Sequence, residues 1–125
     1  MSASSTSELA AAFVEALARK DFARVEALLH PQVDLRGVTP SRAWEAASAE
    51  EAIDDVLRQW FEESDRIDAV VGIEHDDVAD RHRVGYRFRG VNDEGPFVVE
   101  QQAYLSERDG RIGWMRIVCS GYRPT

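Results

Sequence analysis

Three sets of side chains in this 125-residue chain are of types that do chemistry. The first is the polar stripe Glu100, Gln102 and Tyr104, which alternates with Val99, Gln101, Ala103 and Leu105. A carboxylate at Glu100 in an apolar pocket would have its pKa raised by desolvation and would serve as a general acid or base. A salt bridge to Arg36 or to a strand arginine would instead lower it and make the residue structural. Gln102 and Tyr104 can orient a ligand by hydrogen bonds or satisfy one another. The second is Cys119, a nucleophile if a base lies beside it and a small buried hydrophobe otherwise. No histidine adjoins it in sequence, although His82 has the strand parity to share its face. The third is the run His75, Asp76, Asp77, Asp80 and His82. Its spacing suits neither zinc nor calcium, so no metal is expected and it reads as a solvated acidic turn. There is no glycine-rich phosphate loop and no GxSxG elbow, and no cofactor is implied.

The elements that must position these groups follow from periodicity. Ser5 and Glu8 have capping-box spacing, and Leu9, Phe13 and Leu17 recur every fourth residue, which predicts a helix over 6–19. Asp21 caps a second helix whose Phe22, Val25, Leu28 and Leu29 share a face, and His30-Pro31 ends it. Val33–Leu35 is a short strand candidate before Gly37 and Pro40 break the pattern. Ser48 and Glu51 form another capping box, followed by Ile53, Val56, Leu57, Trp60 and Phe61 at helical spacing. After Ser64 the period becomes two. Strands are predicted at Asp68–His75, Ala79–Arg89, Pro96–Glu107 and Arg111–Ser120, separated by the turn sequences HDDVAD, VNDEG and ERDG. Helices first and hairpin strands after is the α+β pattern, in the order ααβαββββ.

Composition narrows the function classes. The length is that of a single domain over 1–125, with 1–5 expected to be flexible. An apolar fraction of 44% and a charged fraction of 30% read as globular. A net charge of -8 opposes nucleic-acid backbones and anionic membranes, so neither is an expected partner. The lone cysteine, the lack of a basic and apolar leader, and apolar runs too short to span a bilayer point to the cytoplasm.

This element order resembles the nuclear transport factor 2-like superfamily, which includes SnoaL-like proteins and ketosteroid isomerase. KDFARVEALLHPQVDL is similar to its second helix and first strand, and ERDGRIGWMRIVCSG to its final hairpin. VVEQQAY and CSGYRP suggest a bacterial subgroup of it. The resemblance implies a cone: a curved antiparallel sheet packed against three N-terminal helices around a pocket, with a homodimer across the outer sheet face. It also implies where the isomerase machinery would fall. The carboxylate base would be at Gly37, the tyrosine at Phe13 and the protonated aspartate at Gln102; all three differ, Phe13 cannot donate a hydrogen bond and Gly37 has no proton acceptor. Ketosteroid isomerisation by that route is therefore not expected.

Strand parity divides pocket from exterior. His82, Val84, Tyr86 and Phe88 are expected inside, and the resemblance, through the DGRI turn, implies the same for Met115, Ile117 and Cys119. For 96–107, polarity alone favours Val99, Gln101, Ala103 and Leu105 inside, whereas the family register puts Glu100, Gln102 and Tyr104 there. The family register is adopted as the expectation. It leaves Val99, Ala103, Leu105, Trp114 and Val118 as an apolar outer patch for a second copy. The connector LRGVTPSRAWEAASAEE is expected to cross the pocket mouth, with Trp44 covering it and Arg36 facing Glu100 or an anionic group.

Three readings result. One is a small-molecule pocket protein for an apolar or aromatic ligand with one polar end. Trp60, Tyr86, Phe88 and Met115 would be its walls, and Glu100, Gln102, Tyr104 and Arg36 would fix orientation. Another is a lyase, isomerase or hydrolase using Glu100 as acid–base. The last is a dimerising interaction module filled by its own side chains.

Overall fold

The computed structural model describes residues 3–125, with side chains from residue 6 onward. Of residues 1–5, expected to be flexible, the first two lie outside the described residues, as does the Ser5 side chain of the first capping box. Helix α1 (Ala3–Ala18) already runs through Ser5 and buries Ala10, Phe13, Val14 and Leu17. Asp21 caps α2 (Phe22–Leu28) by accepting the Arg24 amide at 3.1 Å. The chain becomes extended at Leu29, before the proline, because Leu29 and Val33 both have apolar space to fill.

Strand β1 (Leu29–Thr39) is therefore longer than the Val33–Leu35 expectation. It turns at Pro40-Ser41 into β2 (Arg42–Ala46), so the connector is a hairpin, paired from Leu35↔Ala46 to Thr39↔Arg42. Proline and serine are turn formers, and β2, five residues at the sheet edge, is too short to show a clear period. Ser48 then caps α3, accepting the Glu51 amide at 3.1 Å, while the Glu51 carboxylate takes the Ala47 amide at 3.0 Å. This helix comprises Ala49–Glu51, a wider π turn over Ala52–Leu57, and Arg58–Trp60.

Four long strands complete the chain: β3 (Arg66–Val78), β4 (Arg81–Asn92), β5 (Gly95–Arg108) and β6 (Arg111–Cys119), with a short β7 (Arg123–Pro124) beside β5. The sheet order is β2-β1-β6-β5-β4-β3. Pairing is antiparallel except between β1 and β6, which run parallel, so the sheet is mixed. HDDV belongs to β3, and the turn is only Ala79-Asp80, with Ala79 at φ 54°. The helices pack on the concave face, α1 touching β3, β4, β5 and β6.

Candidate functional site

The concave face is built from alternate residues of four strands. Val33, Leu35 and Gly37 come from β1, and His82, Val84, Tyr86 and Phe88 from β4. Val99, Gln101, Ala103 and Leu105 come from β5, and Met115, Ile117 and Cys119 from β6; all are buried. The β5 assignment corrects the family register. Glu100, Gln102 and Tyr104 lie on the convex face, and Val99, Ala103 and Leu105 are core. The physical reason is polar satisfaction. Gln101 stands opposite Tyr86 and accepts its phenol hydrogen at 2.6 Å, while donating to Cys119 Sγ at 3.3 Å. A buried Glu100 would have carried an uncompensated charge. Outside, it receives Arg87 at 2.6 Å and 3.0 Å. Gln102 accepts from Arg83 at 2.8 Å, and Tyr104 sits half-buried between the strand positions of Arg83 and Arg116.

Arg36 is also on the convex face, 4.0 Å from Asp34, and does not meet Glu100. The expected outer apolar patch shrinks accordingly. Of its five residues Trp114 and Val118 remain outside, Trp114 lying between the Arg81 and Arg116 guanidinia at 3.9 Å and 4.4 Å.

Trp44 covers no mouth. It lies half-buried on β2, with its indole N–H donated to Thr39 Oγ1 at 3.0 Å and Arg42 over its ring at 3.8 Å. It meets Trp60 edge-on at 6.1 Å. Trp60 fills the space beside Gly37, where a Cβ would come within 2.7 Å of Cζ2 and closer still to Cη2. The resemblance implies the isomerase base at this position, and here an indole takes the space any side chain would need. Phe13, Phe88, Gln101 and Met115 have no exposed surface, so the cone interior is filled by its own side chains at these positions. Among the described residues, two buried polar atoms lack hydrogen-bond partners, Trp60 Nε1 and the Tyr122 hydroxyl oxygen.

Burial, and then the neighbouring Cys119, push the Tyr86 phenol well above the ordinary tyrosine range. Burial likewise raises Tyr122, with nearby Asp65 adding to it. Neither phenol is an acid at neutral pH, and Cys119 is held by Gln101 and by the Gly121 amide at 3.4 Å rather than by a base. Among the described residues, no group of three or more His, Cys, Asp or Glu side chains is arranged to hold a metal. No described helix is long and apolar enough to cross a membrane.

The apolar opening lies at the other edge of the cone. Between α1 and the edge strand β3 runs a groove of about 440 Å³, lined by Ala11, Val14, Ala18, Ile67, Val70 and Ile73, with Glu15, Arg19 and Asp68 among its polar members. Val70 and Ile73 pair with the buried Phe88 and Tyr86, so they face the concave side, yet they remain 42% and 44% exposed. Sequence reading passed over them because an apolar strand residue is ordinarily a core residue.

This fold, a curved sheet wrapped over N-terminal helices, is that of nuclear transport factor 2-like proteins. No protein-family model matches the chain, and no curated protein matches it by sequence. Solved structures do match over nearly its whole length. AusH from Aspergillus nidulans aligns with a TM-score of 0.72 at 19% identity, over 95% of this chain and 86% of AusH. An epoxide hydrolase of M. tuberculosis, described as LEH-like, aligns at 0.68 and 14%, over 94% and 84%. An NTF2-like protein from Burkholderia thailandensis aligns at 0.64 and 22%, over 90% and 88%.

Proposed function

We propose that the chain is a small-molecule-binding protein whose ligand lies in the α1–β3 groove rather than in the filled cone. The observation that carries this reading is the exposure of Val70 and Ile73 on the concave side of β3. An apolar or aromatic body would cover them and Val14, releasing the water they hold. Its one polar end would meet Arg19 or Asp68 at the rim. The fluorescent probe 1-anilinonaphthalene-8-sulfonate, an aromatic body with one anionic end, tests it. It is expected to bind the native protein and to be excluded by Ala18→Trp, which fills the groove. Undiminished binding by a folded Ala18→Trp protein sinks the reading.

We further propose a homodimer through the convex sheet face. Val38 and Val118 are paired neighbours there, 52% and 53% exposed, beside half-buried Trp114. A monomeric mass by light scattering at micromolar concentration would remove this proposal.

A further inference from the structure

On the concave side of the β3–β4 pair, just beyond Ile73, stand two histidines and an aspartate. The strand register sets Asp77 opposite His82 and His75 opposite Val84, so all three project to the face that Ile73 shares. His82 Nδ1 is 3.3 Å from Asp77 Oδ1, and His82 Nε2 is 2.8 Å from His75 Nδ1. The ring centroids are 5.1 Å apart, about the N···N separation plus the two ring radii, so the two nitrogens meet head-on. That is the geometry of a linear N–H···N hydrogen bond, not of two lone pairs converging on a cation. His82 is 6% exposed, whereas His75 is open to solvent.

The donor inventory dictates the protons. An ionised carboxylate only accepts, so the His82 hydrogen sits on Nδ1 and its Nε2 is a lone pair. His75 must then donate from Nδ1, which leaves its own Nε2 as a free acceptor. We propose that Asp77, His82 and His75 form a proton-transfer site at the end of the α1–β3 groove, with His75 as general acid–base and the other two as positioning residues. The inference rests on the groove as ligand site and names its chemistry: a small apolar or aromatic molecule bearing a weakly acidic C–H. In the forward step the ligand C–H bond breaks and its electron pair stays on the ligand. The proton bonds to His75 Nε2, the His75 Nδ1 proton passes to His82 Nε2, and the resulting imidazolium faces the Asp77 carboxylate. Reversal delivers the proton to another atom of the same ligand, an isomerisation that needs no co-reactant. Partial desolvation of its inner edge, and then the adjacent His82, hold the His75 imidazole below its ordinary value.

The probe is 5-nitrobenzisoxazole, a flat aromatic that opens when a base removes its ring C–H. The C–H and N–O bonds break, a nitrile forms, and a coloured phenolate is released. The native protein is expected to open it at least about tenfold faster than free imidazole at equal concentration, and His75→Gln, at an exposed position, to lose that advantage. Nitrogen-15 NMR of the imidazoles is expected to show Nδ1–H tautomers for both rings, with the His82 signals shifting in Asp77→Asn. A His75→Gln rate equal to the native one, or a His75 proton found on Nε2, overturns the proposal. Saturation of the rate with probe, abolished by Ala18→Trp, reports the groove separately. A rate that depends on His75 but never saturates sinks the groove and leaves proton transfer standing. Saturation with a rate indifferent to His75 does the opposite.

Discussion

Tyr86 donates its phenol hydrogen to Gln101 Oε1 at 2.6 Å inside the cone, and neither residue has more than a trace of exposed surface. This bond decides which face of β5 is the core. Gln101→Leu is expected to destabilise the protein by about 1–3 kcal/mol, because it strands a buried hydroxyl. Tyr86→Phe added to it should cost less than the sum of the two single changes. Urea denaturation of the four proteins measures the cycle, and strict additivity would show that the bond contributes nothing.

Gly37 and Trp60 make a second linked pair. Gly37→Ala is expected to cost about 1–3 kcal/mol, since the new methyl runs into the indole of a packed core. Trp60→Phe in the same chain should recover part of that loss by removing the ring that clashes. Thermal unfolding of both variants checks it; a Gly37→Ala protein as stable as the native one would mean that Trp60 is not seated there.

Glu100 faces water beside Arg87, both side chains about half-exposed. Glu100→Gln should therefore change stability by no more than about 1 kcal/mol. It should also leave binding of the anilinonaphthalene probe unchanged. A loss of binding with the fold intact would place the ligand on the convex face instead.

The lowered pKa of His75 has a consequence for pH dependence. The unfolded chain binds this proton more readily than the folded one, so the stabilising contribution is present above the unfolded histidine value. It is lost as pH falls through the lower folded value. His82 and Asp77 lie on its chain, and the Asp76–Arg83 pair at 3.9 Å lies on the opposite face. Urea midpoints measured downward from neutral pH are expected to fall more for the native protein than for His75→Gln. Parallel curves would contradict the shift.

Much of the architecture was readable in one dimension. Caps at Asp21 and Ser48, fourfold spacing in α1 and alternation in β4 are local signals, each set by a residue's own neighbours along the chain. Alternation therefore assigned Tyr86 and Phe88 to the concave side without a structure, and the family resemblance added Met115 and Cys119. On β5 polarity alone favours the observed face, with Val99, Gln101, Ala103 and Leu105 inside, and the family register pointed the other way. What the sequence does not show is why a glutamine can be buried there: the Tyr86 phenol across the strand satisfies it. Gly37 carries no side chain to read, and its role became visible only when α3 laid Trp60 against it. The sequence places His82 on the inner face of its strand and His75 at the end of another, and nothing joins the two if HDDVAD is a turn. Once β3 extends to Val78, antiparallel pairing folds the two rings onto each other. Local propensity is written in neighbouring residues, whereas polar pairing and cavity filling are contacts between residues distant in sequence, and those exist only after the sheet has closed over its helices.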